Sequence, residues 1–397
     1  MVTEASAAAV ADCMSWFADT HEQLLAETLH LCHIPAPTFD EAERAVYVAE
    51  RMRTIALSDV QVDAIHNVSG VLNHGSAGPT TLVVAHLDTV FPRATPLNVR
   101  RTKQRLYGPG IGDNSLAVAA MLNVAAAMQR FRPGAVGRVV FAASVGEEGL
   151  GNLCGIRRLM ETWGHDVDTV IAVEGHGVDE IRHAGIGSTR LRVTFSGPGG
   201  HSWGAFGTPS AIHAMGTVIH KLSQFKMSVD PRTTFNVGLV EGGASVNTIA
   251  PRATMLVDLR SVSARHLTQL EARVAHLLQD VERHTGVSVE STVVGRRPAA
   301  VLPVSHPLCK GIVGIRRRLR MRPAIFSASS TDANLPLSLG VPSVCLGISR
   351  GGLAHTVKEY IECGPILGGV KQLFFTLLHT LESPATAQRR KAGKESG

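Results

Sequence analysis

Aromatic residues are scarce in this chain, only 5% of 397, and those present form no stacking pattern beside its basic runs. Long apolar runs are missing as well. No stretch of about 18 uncharged apolar residues occurs, the length a membrane-spanning helix needs, so no membrane partner is expected. The first twenty residues hold Glu4, Asp12 and Asp19 but no Lys or Arg. They lack the charged region and apolar block of a secretory signal, and a cytoplasmic protein is expected. The six cysteines (Cys13, Cys32, Cys154, Cys309, Cys345 and Cys363) are scattered without a Cys-x-x-Cys pair. That spacing excludes a cysteine metal site or a disulfide framework and leaves buried, reduced thiols.

The net charge of +6 comes partly from the tail (Arg389, Arg390, Lys391, Lys394) and partly from Arg316, Arg317, Arg318, Arg320 and Arg322. A basic run can mark nucleic-acid binding. With so few aromatics, a solvated helix face is the reading for the second cluster, and no nucleic-acid partner is expected. The polar segment 383–397 is expected to be disordered.

The length allows two or three domains. Residues 41–55 carry a helical pattern, 81–85 (TLVVA) a buried strand, 116–128 an Ala-rich helix, and 138–143 (RVVFAA) and 169–173 (TVIAV) further buried strands. This alternation predicts an α/β domain with helices around a mainly parallel sheet. From residue 187 the pattern changes: strand 189–195, helix 209–222 with Pro209 in its first turn, strands 234–240 and 254–259, helix 264–285, strand 287–294. The apolar positions Leu267, Leu270, Val274, Leu277, Leu278 and Val281 share one helical face. A β-α-β-β-α-β order is ferredoxin-like, so residues 187–295 are read as an inserted α+β domain. Residues 1–186 and 296–397 form the discontinuous first domain, which helix 306–318, strand 341–346 and helix 366–381 complete.

The chemistry-bearing residues collect at the ends of apolar strands, where open α/β sheets place their sites. His86-Leu87-Asp88 follows TLVVA. His86 can bind a metal while Asp88 holds its other ring nitrogen, although a His-x-Asp alone is more often just a satisfied histidine. Asp113, in the loop GPGIGDNS, can bridge two metals; read blandly, it is a helix cap. The glycines here and at Gly149, Gly151 and Gly155 lack the context of a dinucleotide loop. Glu147-Glu148 is the strongest local signal. Two adjacent carboxylates at a strand end repel unless a cation joins them, and one can then act as general base while the other binds a metal. The bland reading is a solvated pair favoured by a helix dipole. Glu174 ends TVIAV and His355 sits in GGLAHTVKEYIE. Each is unremarkable alone, but together the five groups supply a bridging carboxylate and two further ligands per metal, a His/carboxylate set that zinc accepts.

In order and spacing these groups resemble the di-zinc peptidase and amidohydrolase family, which includes glutamate carboxypeptidase, the tripeptidases, aminoacylase, acetylornithine deacetylase and succinyl-diaminopimelate desuccinylase. The ordered set His-x-Asp, Gly-Asp, Glu-Glu, Glu, Gly-Gly-His-Ser and His-Thr carries the resemblance from about Leu24 to the helix after Ile366. It implies that His86, Asp113 and Glu174 hold one divalent ion, most naturally zinc with manganese or cobalt as alternatives. Asp113, Glu148 and His355 would hold the second, about 3.5–4 Å away. It also implies that Asp88 orients His86 and that Glu147 is the general base. The inserted domain resembles the family's lid and dimerisation domain. There His201, in SGPGGHSWGAFG, looks like the lid histidine that reaches a partner's site to stabilise an oxyanion. Asn247 and Arg260 look like substrate contacts, Arg260 gripping a carboxylate bidentately, and Arg182 is a further basic contact. Two departures stand out. Asn114 and Ser115 replace the usual acidic residue and Lys or Met after the bridging Asp, and Trp203 interrupts the usual small residues after the lid His-Ser.

Family members with Glu at the Glu174 position tend to release a C-terminal or N-acylated amino acid. The resemblance therefore implies a homodimeric carboxypeptidase or N-acyl-amino-acid hydrolase acting on a small peptide or N-acyl amino acid. A di- or tripeptidase is the enzymatic alternative. A dimeric binding protein on the same scaffold is the non-enzymatic one, and it is disfavoured because Glu147 and every ligand position are retained.

Overall fold

A computed structural model of the chain describes residues 4–73, 78–134 and 136–382; the tail 383–397 lies outside the described residues. The chain divides into two compact units, one built from residues up to Ala184 together with those from Val301 onward, the other spanning Gly185–Ala300.

The first unit is organised by a twisted sheet. Its strands lie in the order Ser58–Val62, Val68–Asn73, Arg138–Ser144, Thr80–His86, Thr169–His176, Ser343–Ser349 and Glu180–Gly185. The four central strands run parallel and the flanking ones antiparallel. All seven residues of Thr80–His86 are buried, as are all seven of Ser343–Ser349, as expected where helices cover both faces. The Ala-rich helix Leu116–Phe131 follows the Gly-rich loop and buries eleven of its residues. The segment Ile111–Phe131 is long and apolar enough to cross a membrane, yet most of it is packed inside this unit. Because the central strands are parallel, their carboxyl ends emerge at one edge, with His86 opposite Ser144 in register and Glu174 opposite Gly347.

The second unit is a four-stranded antiparallel sheet in the order Thr233–Gly242, Arg252–Ser261, Gly187–Ser196, Ser288–Arg297, the strand order of a ferredoxin-like unit. Helices Ala211–Ser223 and Ala264–Thr285 contribute to its core. The longer helix begins at Ser263, whose side chain accepts the His266 N–H, and ends at Gly286 in a left-handed conformation (φ 70°). The six apolar positions of its face are all buried, each contributing about 1.5–3 kcal/mol relative to exposure. Pro209 lies outside the shorter helix. Ser210 is extended (φ −108°, ψ 128°), and the Ala211 N–H bonds Ala250 O at 3.0 Å, so tertiary pairing sets the helix start.

All six cysteines are free thiols. The basic cluster on helix Pro307–Arg318 departs from a solvated face. Arg317 and Arg318 are exposed, but Arg316 is among the most deeply buried side chains. Its guanidinium donates to Val178 O at 2.6 Å, to Arg322 O at 2.7 Å and to Gln372 Oε1. Charge alone could not reveal this, because the helical register decides which arginine points inward. Arg316→Met should therefore lower unfolding free energy by about 2–4 kcal/mol by orphaning these acceptors, whereas Arg317→Ala should change it by no more than about 0.5 kcal/mol; urea denaturation of both variants makes the comparison.

Candidate metal centre

Loops at the carboxyl edge of the parallel strands, together with the strand that carries Glu174, build the site. The first is the turn after Thr80–His86. His86 is buried, and its Nδ1 lies 3.0 Å from the Asp88 carbonyl oxygen and 3.4 Å from Asp88 Oδ1. A carbonyl only accepts, so Nδ1 carries the proton and Nε2 turns the other way. Nε2 faces Asp113 Oδ1 at 3.0 Å and Glu174 Oε2 at 3.7 Å.

Asp88 is fully buried and ties two strand ends together. Its Oδ1 accepts the Glu147 N–H, and its Oδ2 accepts the Glu148 N–H and the Thr38 hydroxyl, all at 2.9 Å. Burial works to raise its pKa, but His86 and the two amides outweigh burial and hold the carboxyl below its ordinary value. Glu147 and Glu148 are themselves buried.

The second loop carries Asp113 into the Glu174 strand. A side chain at Gly175 would put its Cβ 2.1 Å from Gly112 O, and one at Gly112 would lie 2.3 Å from His176 Nε2. Only glycines permit this approach. Asn114, the departure noted above, is buried and fastens the contact: its Nδ2 donates to Val173 O at 2.9 Å and its Oδ1 accepts the Gly175 N–H at 3.0 Å.

The third loop presents His355. Its Nε2 lies 3.1 Å from Asp113 Oδ2 and 3.0 Å from Glu148 Oε1. These two hydrogen bonds push its pKa up to about 10. At His86, burial acts to lower the pKa, but bonds to Asp113, Asp88 and Glu174 outweigh it and the ring is held well above its ordinary value. At Glu148 burial raises the pKa. For Asp113 the two histidines overcome burial and hold the carboxyl far below the carboxylate range. The two oxygens of Asp113 thus face different imidazoles. Ligand atoms of His86, Asp113 and Glu174 lie within 4.8 Å of one another, as do those of Asp113, Glu148 and His355, and those of His86, Glu147 and Glu148. Each set offers the nitrogen and carboxylate donors that zinc, manganese or cobalt accept.

The other residues expected from the sequence have their own local partners. Arg182, in the first unit, is half-buried and approaches Glu180 Oε2 at 3.3 Å and Cys345 Sγ at 3.7 Å. In the second unit His201 pairs in register with Thr248, and its Nδ1 accepts from the Trp203 and Gly204 amides at 3.3 Å. Asn247 accepts the Ser245 hydroxyl at 2.9 Å on its side chain and the Ser202 N–H at 3.0 Å on its carbonyl. Arg260 is held by Asp258 at 2.6 Å. Trp203 and Phe206 are 87% and 92% exposed.

Glu359 is a residue of the site region that the sequence did not single out. It is fully buried, accepts the N–H groups of Gly110, Gly112 and Asp113 at 2.9–3.0 Å, and lies 2.7 Å from His176 Nε2. In sequence it is one acid in a polar segment, and only the fold brings it under the Asp113 loop. Glu359→Gln keeps the shape but removes the charge that gathers these amides; it should weaken divalent-ion binding in the cluster by 10–100-fold, which a competitive chelator titration would read.

Residues 82–379 match the model of Peptidase family M20/M25/M40. The chain is 28% identical over 360 residues to a Mycobacterium tuberculosis protein named for succinyl-diaminopimelate desuccinylase, covering 87% of this chain and 95% of that one. A tripeptidase from Staphylococcus aureus superposes with a TM-score of 0.79 at 22% identity, covering 91% of this chain and 99% of that one. A Bacillus subtilis protein described as a dinuclear metal-binding peptidase superposes with a TM-score of 0.71 at 16% identity, covering 92% and 99%. The chain belongs to Peptidase family M20/M25/M40 and is a hydrolase of the peptidase and amidohydrolase kind.

Proposed function

We propose that this hydrolase carries two divalent ions, most naturally zinc, and cleaves the amide beside a free carboxylate in a small peptide or N-acyl amino acid. The observation that carries the reading is Asp113, whose two carboxylate oxygens face two separate histidines, His86 and His355. His86, Asp113 and Glu174 would hold one ion and Asp113, Glu148 and His355 the other, Asp113 bridging. The donor set fits, since crowded buried carboxylates are costly without cations between them. When bound, such ions acidify water and polarise a carbonyl.

The protein's own groups then do the rest. Asp88 keeps the proton on His86 Nδ1 and so leaves Nε2 as the ligand atom. Glu147, whose backbone N–H is fixed by Asp88, takes a proton from the attacking water on a carboxylate oxygen. Water oxygen bonds to the carbonyl carbon, the C–N bond breaks, and Glu147 returns its proton to the leaving nitrogen. In our reading residues 187–295 act as the lid and dimerisation domain of a homodimer. His201 donates to the developing oxyanion across that dimer, and Asn247 and Arg260 bind substrate, Arg260 exchanging Asp258 for the substrate carboxylate. Arg182 is a further basic contact. A relative named for a desuccinylase supports the acyl-amino-acid side of this proposal.

Two results are expected. With zinc supplied, hydrolysis of one member of a panel of N-acyl amino acids, dipeptides and tripeptides should be abolished by chelation and restored by metal. Glu147→Gln should lower kcat by about 10²–10⁴-fold without loss of bound metal; an unchanged kcat would remove Glu147 from the mechanism, and a preference for tripeptides with a free amino terminus would favour the aminopeptidase alternative.

Metal loading should also be coupled to protons. His355 is pushed up to about 10 and so is protonated at pH 7 before an ion binds. Its Nε2 must lose that proton to become a ligand. Affinity for the second ion should therefore rise with pH up to about 10, by up to tenfold per unit, with proton release detectable by titration in weak buffer.

A further inference from the structure

We propose that a basic cleft in the first unit, lined by Lys103, Arg105, Arg320, Arg322 and Arg350, binds a small multiply charged oxyanion. The cleft encloses about 810 Å³, within the range of roughly 300–1,000 Å³ typical of small-molecule sites. None of the metal-cluster residues lines it, so it is a separate site.

Its charges are out of balance. Five cations line it against two carboxylates, Asp179 and Glu362. Asp179 alone serves three guanidinium groups: Arg350 at 2.6 and 3.1 Å, and Arg322 and the buried Arg316 at 3.9 Å each. Arg105 reaches Glu362 only at 3.9 Å and lies over the Tyr360 ring at 4.3 Å. Lys103 and Arg320 have no ion-pair partner among the described residues. Arg316 sits beneath, bonded to the carbonyls of Val178 and Arg322, two residues of the cleft lining, and its buried Nε lacks a partner among the described residues. Concentrating like charge around one carboxylate is unfavourable unless an anion neutralises it.

The backbone adds to this. Gly364, Pro365 and Gly368 line the cleft where helix Ile366–Glu382 begins, so the positive end of a 17-residue helix adjoins the arginines. A Cβ at Gly364 would meet no described atom within 4 Å, and one at Gly368 would meet only Met321 Cε at 3.9 Å. Packing does not demand glycine at either position, and its effect there is to leave the helix start open. Arginine forks match phosphate and carboxylate oxygens bidentately, so the ligand class is a phosphate-bearing or polycarboxylate small molecule rather than a monoanion.

The test is isothermal titration of the full, metal-loaded chain at about 0.15 M ionic strength, where surface charge is screened beyond about 8 Å. Fructose 1,6-bisphosphate and tricarballylate are the probes, and fructose is the neutral control. The proposal expects one site per chain for at least one of the two anions, no heat with fructose, and at least a tenfold loss in Lys103→Ala/Arg322→Ala with metal content unchanged. Binding of the bisphosphate alone, or of tricarballylate alone, identifies the source of the oxyanion; both support the site. Both substituted residues are exposed, and Lys103→Gln alone should reproduce a smaller loss if the double variant is unstable. Absence of heat with both anions, or unchanged affinity in the variants, would overturn the proposal.

Discussion

Mutual repulsion among carboxylates is the constraint on which the rest of the first unit depends. Asp88, Asp113, Glu147, Glu148 and Glu174 converge on one edge of a sheet, all of them buried or nearly so, and burial penalises every ionised carboxylate. The structure answers with positive ends. Backbone amides of Glu147 and Glu148 point at Asp88, and the imidazoles of His86 and His355 stand between the acids. Carboxylates and imidazoles gathered this closely offer the donor sets that a divalent cation accepts.

Positioning comes from residues that never touch the centre of the cluster. Asp88 couples the ends of two neighbouring parallel strands, so His86 and the Glu147-Glu148 pair cannot drift independently. Asn114 clamps the Asp113 loop to the Glu174 strand. Glu359 gathers three amides of that loop from below. It lies four residues beyond His355, so the chain that presents one histidine also anchors the Asp113 loop. The same economy appears in the flanking cleft. Arg350 directly follows the strand Ser343–Ser349 and pairs with Asp179, and Arg316 supports the backbone of Val178 and Arg322 from within.

The second unit has a self-contained core of sheet and two helices, and what it offers to chemistry sits outside that core. His201 ends the short strand Gly200–His201 and Asn247 sits on the neighbouring turn, the two joined through the Ser202 amide. Trp203, Phe206 and Val246 beside them are strongly exposed. Arg260 rests against Asp258.

The legible parts of this protein are those carried by local pattern. Alternation of buried strands with helices announced the mainly parallel sheet, because strands covered on both faces must be apolar throughout, and Thr80–His86 is. A single apolar face announced helix Ala264–Thr285. His86, the Glu147-Glu148 pair and Glu174 are legible because parallel strands all end at one edge, whereas Asp113 and His355 lie in loops and are legible only in combination with them. Residues acting through long-range contacts were not legible. Glu359, separated from Asp113 by 246 residues, carries no local signature, and Arg316 is indistinguishable from Arg317 until the register of its helix against Val178 and Gln372 is known. Pro209 was placed inside a helix that a hydrogen bond to Ala250 starts two residues later. The sequence by itself determined which chemical groups exist and on which strands they end, since those follow from side-chain identity and backbone period. Tertiary structure alone decided which backbone amides and buried charges hold them in place, because distance in space, not in sequence, sets the strength of an electrostatic contact.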